Sequence, residues 1–557
     1  MTSAISHDNT FRTAHHALLD WARRTPDRLF LSQPVDGELR DRSWKQAADE
    51  ARRMASALSG IGLQPGDKVA ILAKNSAEWV LADLAIAMAG MISVPVYPTA
   101  GADTIAYVLG HSEASAVFVG KLDDPAVAIE AIPGSLPSIA FPYEIEGCDY
   151  RWDSLVGRYP PLEVVSDPLP EDVMTILYTS GSTGTPKGVV LSFGAYCYAS
   201  RETAVAMELT PDDRLFSYLP LAHITERTCC AGPAIYIGTS MGYTESLETF
   251  TSDLKQARPT AFLSVPRLWV KFQSGVHAKI PPARLKFLLA LPVIGKVVAK
   301  KIREELGFGS CDRFGSGAAP ISPSTLEWFH RIGIEISEGW GMSETSGLAT
   351  ANSPFDRERI GTIGVPLNGT EVRLSDEGEI LLRSPGLFSG YYKNKELSRE
   401  VFTDDGFFRT GDKAEWIEST SAYRITGRVK DIFKSAKGKY VMPVPIESRL
   451  SANPLLEQLC VMGSGLRAPV VVIVLSEAAR HLPESDVESR IQATLEEVNG
   501  NLESHERLAH AFIANEEWTA GNGLLTPTLK LKRNVLEEKY RELISGTHDT
   551  QVVWERP

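Results

Sequence analysis

Residues 178–189 read YTSGSTGTPKGV. Apolar runs enter this stretch (173–178) and leave it (189–191), the pattern of two strands joined by a loop. Between them stand Gly181, Gly184 and Gly188, hydroxyl residues that include Thr179, Ser180, Ser182 and Thr183, and Lys187. Glycines let backbone N–H groups converge into a concave nest, and nests bind anions. Hydroxyls add donors or metal ligands, and a lysine brings a mobile positive charge to a phosphate. A Walker A loop is excluded, because Pro186 precedes Lys187 and no Ser or Thr follows it. A flexible linker would share the composition but not the two β-like flanks. The stretch reads as a phosphate-holding hairpin loop.

Working outward, 557 residues exceed one compact core and predict two to four domains or subdomains. With 43% hydrophobic and 23% charged residues the chain reads as ordinary globular protein. A net charge of −13 argues against nucleic-acid binding, which rewards a basic surface, but leaves room for a local pocket for small anions. None of the six cysteines forms a Cys-x-x-Cys pair, which suits reduced thiols in a cytoplasmic protein. The N-terminal residues show no basic segment followed by an apolar run. Residues 79–97 are strongly apolar, but Asp83, Gly90 and Pro95 interrupt them, so a buried helix and strand are expected rather than a membrane span.

Upstream of the hairpin, Ser43 and Gln46 fit a capping box and Ala47, Ala51, Met54, Ala55 and Leu58 continue a helical stripe. Strands at 68–73, 92–96 and 116–119 alternate with helices, the last of them ending near His111. The alternation predicts an α/β fold with parallel sheets covered by helices. Downstream, a helix at 193–207 and a strand at 214–219 lead to LPLAHITER, with His223, Glu226 and Arg227. Beyond residue 430 the chain reads as a small α+β domain, with strands near 459–463 and 470–475 and a helix near 486–503.

The hairpin resembles the signature of the AMP-forming superfamily of acyl-CoA synthetases, luciferases and peptide-synthetase adenylation domains. Further motifs follow in that family's order: GSGAAP at 315–320, EGWGMSET at 338–345, DGFFRTGD at 405–412, YRITGRVK at 423–430 and LTPTLKLKRN at 525–534. The Thr-Pro-Thr-Leu-Lys ending is similar to the long-chain fatty acyl-CoA ligase branch. The resemblance implies roles by position. Gly317, Ala318 and Ala319 would lie against adenine, and Trp340, where the family usually has Tyr, would stack on it beside Gly341. Ser343, in place of Thr, would donate to the α-phosphate, and Glu344 would hold Mg²⁺ with Thr179 as a second contact. Asp412 and Arg428 would hold the ribose. Lys530 would be the catalytic lysine, with Lys187, Glu344 and His223 completing the catalytic set. Lys430 would be the hinge, and Gly438 would admit coenzyme A. Trp269 in TAFLSVPRLW would border the acyl pocket.

The implied protein is an ATP-dependent, AMP-forming ligase of fatty acid and coenzyme A. Its large domain would span residues 1–427, its hinge 428–430 and its mobile C-terminal domain 431–557. Residues 284–302 (RLKFLLALPVIGKVVAKKI) read as a helical hairpin broken at Pro292 and Gly295, with tunnel cover or peripheral membrane contact as alternatives. Another carboxylic acid, a carrier-protein thiol as acceptor, or an NTPase built on the same loop are competing readings. A homodimer is left open.

Overall fold

The protein, seen in a computed structural model, is described over residues 11–180, 186–526, 530–546 and 548–556. An eight-stranded sheet carries the hairpin. Its order is Gly390–Tyr391, Pro186–Ser192, Val173–Ser180, Ile92–Val96, Lys68–Leu72, Ala114–Val119, Ser138–Ala140 and Tyr150–Arg151. Strands from Val173–Ser180 to Tyr150–Arg151 pair in parallel, and the hairpin itself is antiparallel. Helices Trp44–Gly60, Ala77–Met88 and Ala102–Ser112 alternate with these strands, as a parallel sheet requires of its crossovers. The capping box is present: Gln46 N–H donates to Ser43 Oγ and Ser43 N–H donates to Gln46 Oε1.

A second, mixed sheet (Arg214–Ser217, Ser240–Tyr243, Leu29–Val35, Glu38–Ser43) and a five-stranded one beginning at Ala261–Ser264 complete the β/α portion. The alternation did not foretell the four-stranded antiparallel sheet of Glu371–Leu374, Glu379–Arg383, Phe408–Ile417 and Ala422–Arg428. Beyond it, strands Leu456–Met462, Val470–Leu475, Ala511–Ile513 and Val552–Trp554 form a separate sheet. The apolar clusters on its two faces draw only on residues from Phe433 onward.

Residues 282–305 form the expected helical hairpin, but the break falls at Leu291, with Pro292 opening the second helix. Gly295 does not break the helix. It lets the two helices touch, since a Cβ there would lie 2.6 Å from the Leu289 carbonyl oxygen. Among the described residues no helix is long and apolar enough to cross a membrane.

Helix Ala77–Met88 is buried on every side, so Asp83 within it needs a counter-charge. Arg227 supplies it: Nη2 donates to both Asp83 oxygens (2.8 and 2.7 Å), and Nη1 donates to Thr175 Oγ1 (2.8 Å). The guanidinium lies 5.6 and 5.4 Å from the ring centroids of Trp79 and Tyr196. Thr175 Oγ1 in turn donates to the Ser93 carbonyl, and Tyr196 donates its hydroxyl hydrogen to the Arg227 carbonyl. Asp83→Ala leaves this arginine buried and unpaired, and unfolding stability should fall by about 3–5 kcal/mol. The double change Asp83→Leu with Arg227→Met should recover much of it. Urea denaturation checks both, and a loss below about 1 kcal/mol for Asp83→Ala would contradict the assignment.

Candidate active site

The hairpin sets Thr179 opposite Lys187 and Tyr178 opposite Gly188. Gly188 has no room for a side chain: a Cβ would approach Ile176 Cγ2 to 2.9 Å and Tyr392 Cβ to 3.1 Å. Gly181, Ser182, Thr183 and Gly184 lie outside the described residues, as does the side chain of Ser180. Lys187 is half-buried, with Nζ 5.7 Å from the centroid of the Tyr391 ring. Tyr391 belongs to the short strand that extends the hairpin, and its hydroxyl donates to Glu344 Oε1 at 2.8 Å. Burial and then the Glu344 carboxylate raise the Tyr391 pKa, which keeps the phenol a donor. The lysine, the phenol and the carboxylate thus stand in one row.

Glu344 is carried by the 3₁₀ turn Ser343–Thr345 that follows strand Ile336–Met342. Phe388 N–H donates to its carbonyl (2.9 Å), and Ser343 is buried beside it. At Gly341 a Cβ would overlap the Gly347 carbonyl, so glycine is obligatory where the chain folds back. Trp340 is buried against Ala349, Ile380, Leu382 and Ala414. Its indole N–H donates to Asp412 Oδ2 at 2.9 Å, while Arg428 Nε stands 2.7 Å from Asp412 Oδ1. Strand pairing sets Asp412 opposite Arg428, and the carboxylate raises the guanidinium pKa.

Gly317, Ala318 and Ala319 follow strand Arg313–Ser316. Gly317 N–H donates to the Ser264 carbonyl (3.3 Å), and a Cβ there would sit 3.2 Å from the Gly339 carbonyl oxygen. Ala318 holds a left-handed φ of 69°, an unusual conformation for alanine, and Ala319 is exposed. The small residues therefore pass close under the Trp340 strand. Glu338, next to them, accepts from Gly361 N–H at 2.7 Å, and burial pushes it up to about 8.

His223 caps the short helix Ile224–Glu226, its Nδ1 accepting from Thr225 N–H at 3.2 Å. Asn75 fixes the preceding turn through Ser217, the Leu219 carbonyl and Leu221 N–H. Burial, then the Lys530 ammonium, push His223 down to about 3. The ring is neutral, and because Nδ1 accepts, its proton sits on Nε2 as a donor. Glu226 behind it is buried and pushed up to about 8.

Lys530 reaches the same place from the C-terminal portion. Its N–H donates to Thr526 Oγ1 (3.0 Å), and its carbonyl accepts from Thr526 N–H (2.8 Å). Burial and Arg428 lower its pKa, opposed by Asp412 and Glu344. One ammonium thus feels Arg428, Asp412, Glu344 and His223 together. Arg267 links the two portions at their rim, to Glu457 (3.1 Å) and Glu517 (3.0 Å).

Three predicted residues lie apart from this group. Lys430 is exposed beside the turn in which Asp431 N–H donates to the Arg428 carbonyl (3.1 Å). Gly438, with φ 76°, is exposed in the hairpin Phe433–Lys434/Tyr440–Val441. Trp269 is fully buried among Phe262, Phe308, Phe314 and Phe329, and its indole N–H donates to the Gly315 carbonyl at 3.3 Å. It supports the small-residue segment from behind. Sequence reasoning missed Tyr391, whose GYYKN setting reads as an aromatic turn. It also gave no role to Arg227, although Asp83 stands in the middle of a helix buried on every side and demands a partner.

The chain matches known proteins over most of its length. Residues 18–392 match the AMP-binding enzyme family and residues 430–551 the AMP-binding enzyme C-terminal domain. The chain is similar to the long-chain-fatty-acid–CoA ligase FadD15 of Mycobacterium bovis, 29% identical over 98% of each chain. It is also similar to the peroxisomal long chain acyl-CoA synthetase 7 of Arabidopsis thaliana, 32% identical over 92% of this chain and 82% of that one. In fold it is similar to the anthranilate CoA ligase AuaEII solved with anthranoyl-AMP (TM-score 0.81, 22% identity, 96% and 98% covered). The adenylation domain of a Mycobacterium chelonae carboxylate reductase is comparably similar (TM-score 0.81, 23% identity, 96% and 91% covered). The chain belongs to the AMP-binding enzyme family.

Proposed function

We propose that the protein activates a medium- or long-chain fatty acid with ATP and transfers the acyl group to coenzyme A. The observation that carries this is the cluster in which Trp340 and Arg428 hold Asp412 and Tyr391 holds Glu344 beside the Gly-rich hairpin, with the Lys530 ammonium in the electrostatic reach of Asp412, Arg428, Glu344 and His223. Relatives named as long-chain fatty acid ligases at 29 to 32% identity support the substrate class.

In the first half-reaction a carboxylate oxygen attacks the α-phosphorus and the bond to pyrophosphate breaks, leaving acyl-AMP. Both reactants are anions, so alignment and charge neutralisation are the main tasks. Lys187, Thr179 and Ser180 of the hairpin, with Gly181, Ser182, Thr183 and Gly184 of the same Gly-rich stretch of sequence, take the phosphates. Gly317, Ala318, Ala319, Trp340 and Gly341 take the adenine, and Asp412 with Arg428 the ribose. Ser343 donates to the α-phosphate. His223 offers its Nε2–H to the acid without adding a charge, and Lys530 bridges acid and α-phosphate. Trp269, fully buried, would act on the acyl pocket only indirectly, by supporting the small-residue segment through its bond to the Gly315 carbonyl.

Among the described residues no three acidic, His or Cys side chains gather as a metal cage. One carboxylate beside the hairpin's second strand, with Thr179 on the first, suits Mg²⁺ instead, which completes its shell with phosphate oxygens and water. Glu344 and Thr179 would hold it, and when bound it supplies further positive charge to the phosphates.

In the second half-reaction the coenzyme A thiolate attacks the acyl carbon and the bond to AMP breaks. Residues 1–427 would act as the large domain and 431–557 as the mobile one, turning about 428–430 at Lys430. Gly438, with no side chain and only Lys434 Cε within 4 Å of where a Cβ would stand, would admit the thiol arm. Six free cysteines, five of them buried, support a reducing, cytoplasmic setting.

Tyr391→Phe removes the hydrogen bond that orients Glu344. It should lower kcat/KM for ATP by about 10- to 100-fold at unchanged fold, and an unchanged value would remove Tyr391 from the site. An apolar pocket gains roughly 0.8 kcal/mol per buried methylene, so acid-dependent pyrophosphate release should climb steeply from acetate to decanoate or palmitate. Acetate or benzoate outperforming both would refute the fatty-acid reading, and orthophosphate release instead of pyrophosphate would refute the ligase reading.

A further inference from the structure

We infer that the helical hairpin Pro282–Ala290/Pro292–Glu305 docks the protein on an anionic lipid surface. Its inner face is accounted for: Leu285, Ala299 and Ile302 pack into the aromatic cluster around Trp269. Its outer face is not. Phe287, Val293, Ile294 and Val297 are 66%, 75%, 48% and 63% exposed, four large apolar side chains within eleven residues. Val293 and Val297 are one helical turn apart and lie opposite the buried Gly295–Ala299 edge, so they point outward together. Scattered exposed apolar residues need no explanation, but a cluster of this kind marks an interaction surface.

Charge selects the occupant. Between residues 281 and 303 the chain has six lysines and arginines and no acid, although the whole protein carries −13. Arg284, Lys286, Lys296, Lys300 and Lys301 are exposed around the apolar patch. Glu304 and Glu305 close the far end of the second helix, where Glu304 stands 3.8 Å from Lys300 and Glu305 stands 3.4 Å from Lys255. An apolar patch ringed by cations, on a helix pair lying flat on the body, fits the interface of a bilayer with anionic headgroups. A second copy of this chain would bring the same positive charge against itself. The inference takes its purpose from the fatty-acid reading, because such acids partition into bilayers, but its test needs no turnover.

Full-length protein is sedimented with vesicles of phosphatidylcholine alone and of phosphatidylcholine mixed with phosphatidylglycerol, at low and high salt. Binding should require phosphatidylglycerol and weaken with salt. Phe287→Ser with Val293→Ser and Val297→Ser should cut the partition coefficient at least about tenfold. Lys286→Gln with Lys296→Gln and Lys300→Gln should abolish the preference for phosphatidylglycerol. All six positions are exposed, so the melting temperature and turnover of a short soluble acid should not move. Absence of vesicle binding, or binding that both variants leave intact, overturns the inference. So does sedimentation velocity in which the apolar variant dissociates a dimer while vesicle binding stays unchanged.

Discussion

The buried Arg227–Asp83 pair is the constraint on which the site depends. Asp83 lies in a helix with no polar face, Thr175 on the hairpin's first strand, Ser93 on the neighbouring parallel strand, and Tyr196 on the helix after the hairpin. One guanidinium touches or feels all four, and four residues before it stands His223. A buried ion pair gains little over a well-packed apolar pair, because desolvation offsets the Coulombic term. Its value here is registration. The segment that presents His223 cannot slide against the Gly-rich hairpin without leaving a charge unpaired.

Around that anchor the electrostatics are arranged for a polyanion. Lys187, Arg428 and Lys530 face Glu344 and Asp412, and the two carboxylates are held by neutral donors, Tyr391 and Trp340. The carboxylates are thus fixed in orientation, while burial and Arg428 make the Lys530 ammonium costly to hold. In the proposed reaction a triphosphate and an attacking carboxylate would relieve that cost, so the substrates themselves would stabilise the assembled site.

Much of this was legible in the sequence because it depends on local chemistry. Apolar alternation and the Ser43–Gln46 capping box placed the upstream helices and strands, and the Gly-rich stretch gave the hairpin. The antiparallel sheet at 371–428 was not legible, because its longest strand, Phe408–Ile417, alternates in burial but puts Thr410, Asp412 and Ala414 at inward positions where an apolar period of two would need large hydrophobic residues. At Gly295 the sequence suggested a break where the structure has a close helix contact, a distinction that only the partner Leu289 can make. Trp340 shows the same limit. Its aromatic face could be expected at the adenine, but its N–H bond to Asp412 joins residues 72 apart. Long-range pairs such as Asp83–Arg227, 144 residues apart, leave only a demand in the sequence: a charge in an apolar helix that must be met from somewhere.

The central claim is that Lys530, delivered by the C-terminal portion, serves adenylate formation and not thioester formation. The most direct measurement separates the half-reactions in Lys530→Ala, with its fold checked by melting temperature. Acid plus ATP should yield pyrophosphate on the order of 10²–10³ more slowly than the parent, the scale of losing one preorganised donor. Supplied acyl-AMP and coenzyme A should still give thioester at close to the parent rate. Equal loss of both half-reactions in a folded variant would contradict the account.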